Sequence, residues 1–563
     1  MTPAKLGLAA LFAFIVLAQG ISAPFQKDAE PQSAEWIQSI VRDGHWLIPR
    51  DAYGYIDRKP PLFYWLSATA AKLSGGTVDE VRARAISLVA GTALAVCVLA
   101  WTAANVGVVE GWLAFLFLLG TYGFASRATE ALTDMLLTLL LFAAYSAIYP
   151  LLDAPTTFRT FPQRTILIGA ILGLGVLTKG PVALVLCALS ALIYLILTRR
   201  NPLLLMRGRW IWQLLSVSIA IGAIWYLPAA ITGGQKILRI IFAENFGHFM
   251  PTRLGGTGES YRPFYFIAAR LLGGAFPMTL LIVPAALAFY TDEISTEKRN
   301  AVIYQASMPL AVLLFFTIAS VKRDDYILPA LPGIAILCAS AFKLDGIRGA
   351  AAKFRDAVAV LFPIGSAIAF WITGIAAIFH VLIAPHLQMH SSDAALFALF
   401  VHGLEWLGIP YYICGIALAV TAVLAIRSFR KSDALKIGIA FGLASLSASL
   451  LWTSTLRPGL AEWRSVKSFV PIVAGYVKDS QLCIPSGINY ELSFYYGAAV
   501  PDLSDPRCAN SAAGKPIYLI ATPRELKAMT PEYRARLKPV AGSNLIGGGG
   551  PPALFEISPE AAK

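Results

Sequence analysis

Charge is scarce in this chain. Only 14% of its 563 residues are Asp, Glu, Lys or Arg, while 57% are hydrophobic. A soluble protein normally carries about 25% charged residues, so a soluble fold is excluded. Histidine is sparse as well. His45, His248, His380, His386, His390 and His402 lack the tight spacing of a metal site, and His386 and His390, four apart, have no further ligand nearby. Of the six cysteines, Cys97, Cys187, Cys338 and Cys414 fall in apolar stretches and read as small buried hydrophobes. Motifs of serine hydrolases, P-loops and dinucleotide-binding folds are missing. So is the alternating pattern of an outer-membrane barrel. The net charge of +13 does not point to nucleic acid, because the Lys and Arg residues gather in short segments between apolar runs.

What the chain has is length without charge. Apolar spans run approximately over 6–23, 84–105, 111–126, 131–151, 165–179, 181–198, 210–231, 264–290, 301–319, 326–342, 356–383, 406–426 and 434–454. Stretches of roughly 18 or more apolar residues cross a bilayer as helices. The expected fold is an all-α polytopic membrane protein with about thirteen transmembrane helices. Basic residues set the orientation. With the N-terminus inside, the cytoplasmic loops hold Arg199, Arg200, Arg207 and Arg209; Lys298 and Arg299; Lys343, Arg348, Lys353 and Arg355; and Arg427, Arg430, Lys431 and Lys436. The first span is read as an uncleaved anchor. The alternative is a signal peptide, with Lys5 before it and Ile21-Ser22-Ala23 as cleavage site. Either way the next loop lies outside.

That loop, 24–83, is amphipathic. Asp28, Glu30, Glu35, Trp36, Ile37, Ile40 and Trp46 fit a helix at the interface. Pro60-Pro61 can open another helix, whose Leu62, Phe63, Trp65 and Leu66 would dip into the headgroups. The outer loop 232–263 carries Gly233-Gly234 and Gly255-Gly256-Thr257-Gly258, which read as a mobile lid or a plain connector. From about 457 the spans stop and charges and prolines rise. Residues 1–456 are therefore expected to form the transmembrane domain, and 457–563 a small extracytoplasmic α/β domain. Gln481–Tyr496 and the strand-like Pro516–Ala521 belong to it. Outside the cytoplasm Cys483 and Cys508 could form a disulfide, though spacing alone does not decide it.

Charge at membrane depth is costly, so the few charged residues at span ends mark a candidate site. Asp28, Lys59, Asp134, Lys179, Arg262 and Lys322 all fall on the outer side in this orientation. Lys59, Arg262 and Lys322 could hold a phosphate, with Tyr326 as a phenolic donor. Asp28 and Asp134 could act as base or stabilise positive charge on a sugar carbon. The bland readings are that Lys59 and Lys179 snorkel at helix ends and that Asp134 caps a helix or pairs with Arg127. Arg323-Asp324-Asp325 is read as a solvated turn.

An ordered set of motifs carries a family likeness. It comprises Trp46-Leu-Ile-Pro, Lys59-Pro-Pro-Leu-Phe-Tyr-Trp, Ala131-Leu-Thr-Asp134-Met, Leu177-Thr-Lys179-Gly-Pro181, Glu244-Asn245, and Lys322…Tyr326…Leu328-Pro329. The chain resembles the GT-C class of polyprenyl-phosphate-sugar glycosyltransferases, with the bacterial lipid A aminoarabinose transferases and protein O-mannosyltransferases as nearest kin. The resemblance implies that Lys59 and Tyr326, with Arg262 as a weaker match, contact the donor phosphate. It implies two carboxylates, Asp134 and one in the first loop. There Ala34-Glu35 fits the family spacing, Asp28 sits one residue early and Glu30 fills the second position. Asp28 is taken as that residue and Glu30 as its alternate. Lys179, Glu244 and Asn245 are further substrate-site candidates. The position before Lys59, often acidic in the family, is Arg58, and a histidine frequent before the Pro263 region is replaced by Ser260 or a neighbour. Both departures weaken the case for a divalent metal, and no metal ligands or cofactor are assigned.

The expected function is inverting transfer of a sugar from undecaprenyl phosphate to lipid A, at the periplasmic face of the bacterial inner membrane. The leading sugar is 4-amino-4-deoxy-L-arabinose. A uronic acid or hexose donor, with Arg253 or Arg323 as the extra cation for a uronate, is one alternative; a protein acceptor is another. A lipid or sugar transporter is the rival from a different class, but it should show repeated halves and charge near mid-membrane.

Overall fold

The structure is a computed structural model that describes the chain except residues 26–28, 154–161, 204–208, 247–261, 289–293, 343–349, 384–407, 479, 510–514, 546–549 and 559–563. It is mostly helical, with a small sheet near the C-terminus. The order opens with α1 (Pro3–Leu17), α2 (Ala29–Asp43), α3 (Leu62–Leu73), α4 (Glu80–Asn105), α5 (Val108–Leu119), α6 (Tyr122–Arg127), α7 (Asp134–Asp153), α8 (Pro162–Lys179), α9 (Val182–Leu197) and α10 (Arg209–Phe246). Among the described residues seven helices are long and apolar enough to cross a membrane, or eight if the pair Phe266–Gly274 and Thr279–Leu287, bent by 97°, is one span. That is fewer than the thirteen spans expected. Several of the expected spans are shorter helices, such as Val108–Leu119 and Val182–Leu197, below the length a crossing needs on its own.

Local sequence accounts for the helix starts that matter. Asp79 caps α4, accepting from the Arg82 amide at 2.8 Å. Pro60-Pro61 precedes α3 as expected, but Phe63 is fully buried in the core rather than dipping outward. Between spans, small residues let backbones approach. A Cβ at Gly169 of α8 would stand 2.8 Å from the Leu214 carbonyl of α10, and one at Gly173 would stand 2.7 Å from Ile221. Ser218 Oγ donates to the Gly169 carbonyl at 2.9 Å across this seam. α10 kinks at Gly234, whose φ is 55°, and then resumes. The first part of the expected 232–263 loop is therefore helix, while Gly255–Gly258 lies outside the described residues.

One buried ion pair fixes the first loop. α2 forms where an interfacial helix was expected, yet its Glu30 and Glu35 are buried, not solvated. Glu30 takes a two-pronged contact from Arg84 of α4, at 2.9 and 3.1 Å, and accepts from the Ala131 amide just before α7 at 2.9 Å.

The C-terminal sheet has four strands in the order β1-β2-β4-β3, where β1 is Gln481–Cys483, β2 Ile517–Ala521, β3 Leu537–Gly542 and β4 Ala553–Ile557. β1 and β2 run parallel; β4 is antiparallel to both its neighbours. Every residue of β2 is buried, which explains its uninterrupted apolar pattern. A disulfide joins Cys483 to Cys508. The helix Tyr490–Tyr496 leaves the sheet and packs on the first loop. Tyr495 Oη donates to Glu80 at 2.7 Å, Tyr53 Oη donates to the Val500 carbonyl at 3.1 Å, and Ser493 Oγ donates to Glu35.

Candidate active site

The approach to Lys59 is a tight hairpin. Asp51 accepts from the Tyr53 and Tyr55 amides at 3.1 and 2.8 Å. The Asp57 amide donates to the Pro49 carbonyl at 3.0 Å, and Asp57 Oδ1 accepts from the Lys59 amide at 3.1 Å. These bonds consume the polar groups of the turn and hand the chain to the rigid Pro60-Pro61 pair. Among the described residues no side chain pairs with the Lys59 ammonium. Burial, and then the neighbouring Arg323 and Lys179 cations, push its pKa down. Asp57 is pushed up to about 8 by burial.

A charged cluster forms where α7, α8 and the turn after Ile318 meet. Lys179, the last residue of α8, donates to Asp134 Oδ1, at the first turn of α7, and lies 3.5 Å from Asp325 Oδ2. Arg323 Nε contacts Asp325 Oδ1 at 3.2 Å. The Lys179 ammonium also lies 5.0 Å from the Tyr326 ring, which stacks on Phe316 at 4.3 Å. Gly180 has a φ of 82°, and a Cβ there would stand 2.3 Å from Asn245 Oδ1. The Lys-Gly-Pro motif thus needs glycine both for its turn and for the approach of α10.

Two cavities meet at this cluster. One, of about 320 Å³, is lined largely by apolar side chains such as Leu137, Val185, Leu186, Phe315 and Phe316, with Asp134 and Asn245 at its polar end. The other, of about 700 Å³, is polar. Its walls include Asp57, Lys59, Arg323 and Tyr490, with Lys236 and Arg239 from α10. Lys179, Glu244 and Tyr326 line both.

The expected residues are thus partly assembled. Asp134, Lys179, Glu244, Asn245 and Tyr326 share the apolar cavity, and Lys59 faces the polar one. Asp28 lies outside the described residues, as does Arg253. Glu30, its alternate, lines neither cavity and is locked to Arg84. Arg262 and Lys322 also line neither. Lys322 Nζ donates to the carbonyls of Ala319 at 2.6 Å and Arg262 at 3.4 Å, and the Arg262 guanidinium lies 5.4 Å from the Phe266 ring. Asp134 pairs with Lys179, not with Arg127, which pairs with Glu130. Asp325 is no solvated turn residue: it is 4% exposed, and only Asp324 faces out, toward Arg270 at 3.1 Å.

Sequence reasoning missed Asp57, Asp325, Lys236 and Arg239. The spacing of Lys236, Arg239, Ile240, Ala243 and Glu244 is that of one helix face, a signal hidden by reading Gly233-Gly234 as the start of a loop.

Residues 58–226 match the family described as dolichyl-phosphate-mannose-protein mannosyltransferase. An undecaprenyl phosphate-alpha-4-amino-4-deoxy-L-arabinose arabinosyl transferase of Pectobacterium carotovorum is 24% identical over 473 residues, covering 82% of this chain and 79% of that one. The Aeromonas salmonicida protein of the same name is 28% identical, and there the match spans 56% of each chain. The crystal structure of ArnT from Cupriavidus metallidurans bound to undecaprenyl phosphate superposes with a TM-score of 0.72 at 17% identity, over 99% of this chain and 98% of that one. The chain thus shares the fold of ArnT over nearly its whole length, and its sequence is similar to the arabinosyl transferases over most of it and to the mannosyltransferase family from the Lys-Pro-Pro run onward.

Proposed function

We propose that this protein moves 4-amino-4-deoxy-L-arabinose from undecaprenyl phosphate to lipid A, with inversion, at the periplasmic face of the inner membrane. The observation that carries this reading is the meeting of an apolar and a polar cavity at Lys179, Glu244 and Tyr326, with the Lys59 ammonium, unpaired among the described residues, on the polar side. A prenyl chain fits the apolar cavity and its phosphate the junction. Lys59, with the Tyr326 hydroxyl, would stabilise the phosphate as it leaves. The acceptor attacks the sugar carbon from the opposite side, which inverts it. Arg323, Lys236 and Arg239 make the polar cavity cationic, which favours an anionic acceptor such as a lipid phosphate. An ionised phosphate needs no general base. For a hydroxyl acceptor, Asp28 is the proposed base. Asp134, tied to Lys179, orients that ammonium toward the junction.

The proposal includes the topology: an N-terminus in the cytoplasm, about thirteen spans counting the short helices, and a periplasmic domain over 457–563. The Cys483–Cys508 disulfide supports an oxidising compartment for that domain. The test is mass spectrometry of lipid A from cells with and without the gene. Loss of an aminopentose-sized increment is expected, and so is its loss in cells carrying Lys59→Ala at normal expression. An unchanged lipid A refutes the acceptor. An increment of hexose or uronate mass refutes the sugar.

A further inference from the structure

The polar cavity holds an ammonium and a carboxyl group that do not pair with each other. Lys59 and Asp57 are two residues apart and both line it. Asp57 is 4% exposed, and its Oδ2 has no hydrogen-bond partner among the described residues. Its Oδ1 is already used by the Lys59 amide. The Lys59 ammonium does not close on it, nor, among the described residues, on any other side chain. A buried carboxylate oxygen left bare costs free energy that a bound partner can return. Turn geometry needs only one of the two oxygens. The other is therefore free for a ligand.

An ammonium beside a carboxyl group, neither paired through its free atom among the described residues, is the complement of a ligand that carries a phosphate and an ammonium a sugar's width apart. We propose that Asp57 recognises the amino group of the donor sugar while Lys59 holds its phosphate. This rests on the proposed donor and adds how an aminosugar is told from a neutral one. A divalent cation is a poorer occupant. No group of three His, Cys, Asp or Glu among the described residues could hold one, and Arg58, Arg323, Lys236 and Arg239 share the same walls. Burial, which holds Asp57 near 8, fits a group whose charge is stabilised only when a cation arrives.

The test compares two donors on purified protein: undecaprenyl phosphate bearing the 4-amino sugar, and the same donor N-acetylated, which keeps the shape of the ring but has no cation. Asp57→Asn is the variant of choice, because Asn keeps Oδ1 for the Lys59 amide and alters only the bare oxygen. The wild type is expected to prefer the amine in kcat/KM, and the variant to lose that preference tenfold or more. Thermal unfolding of the variant, unchanged within a few degrees, would show that the turn survives. Equal loss on both donors overturns the proposal and makes Asp57 a structural or general catalytic group. An unaltered donor ratio in a folded variant overturns it too. If the wild type transfers neither donor, the underlying donor assignment fails instead, and the inference falls with it.

Discussion

Replacing Lys179 by methionine removes the one cation in contact with Asp134. The Asp134 and Asp325 side chains are 6% and 5% exposed and Lys179 itself 13%, so all three are withdrawn from water. Asp325 would keep Arg323 at 3.2 Å. Asp134 would keep no partner among the described residues, because its Oδ2 already lacks one there. Breaking a buried pair by removing one member costs about 3–5 kcal/mol, most of it from the charge left behind. The reverse change, Asp134→Asn, is milder by the same logic, since Lys179 would still contact Asp325. Removing both charges leaves no bare carboxylate at position 134, so the double variant should be more stable than Lys179→Met alone.

The assay is thermal unfolding of the purified proteins in one detergent at one scan rate, which ranks variants even where unfolding is irreversible. The expected order of stability is wild type, Asp134→Asn, the double variant, then Lys179→Met, with a coupling of about 2 kcal/mol or more between the two sites. Additive losses would refute the claim that these residues stabilise one another. A Lys179→Met protein as stable as the wild type would refute the burial argument altogether.

Other outcomes follow from the same geometry. Lys59→Ala should weaken binding of undecaprenyl phosphate about 10- to 100-fold, the value of a charge-assisted hydrogen bond, as read by titration in micelles. Glu35, held by the Ser493 hydroxyl and the Ala52 amide, is raised by burial from an ordinary 4.5 to about 7. Between those values the folded state binds a proton that the unfolded state does not, so stability falls as pH rises through 7. The loss is about 3 kcal/mol once the proton is gone. The protection of the 490–496 amides, taken relative to the intrinsic exchange rate at each pH, should be lower at pH 8 than at pH 6, and Glu35→Gln should flatten that difference. Replacing Cys483 and Cys508 by serine opens a loop with a sequence separation of 25 and should cost about 3 kcal/mol, seen as earlier proteolysis of the tail.

Much of the site could be read from sequence because a charge inside an apolar run stands out. Lys59, Asp134 and Lys179 stand out that way, Tyr326 only through its motif, and the structure brings the four together around the two cavities. What escaped was charge hidden among charge. Arg323-Asp324-Asp325 looks like any exposed turn. Only the short helix Asp324–Ala330 turns one aspartate outward and its neighbour inward, and no local pattern distinguishes them. Glu30 is the converse case. Its place ahead of Ala34-Glu35 fills the second position of the family pattern, yet Arg84, 54 residues away in sequence, claims it. The short spans meet a similar limit. Apolar composition marks a helix for burial, but helices such as Val182–Leu197 are apolar at lengths that do not separate crossing from packing within the bundle.

The C-terminal segment is a wall of the site rather than an appendage to it. Ile488 and Tyr490 line the polar cavity, facing Lys236 and Arg239 of the resumed α10 helix. Their position depends on the grip of Tyr490–Tyr496 on the first loop. Ser493 holds Glu35, and Tyr495 shares Glu80 with Lys467, each ammonium or hydroxyl at 2.7 Å. The same first loop supplies Asp57 and Lys59 to that cavity. The Glu35–Ser493 contact thus ties the C-terminal segment to the loop that carries Asp57 and Lys59, and through Lys179, Glu244 and Tyr326, which line both cavities, to the apolar cavity as well.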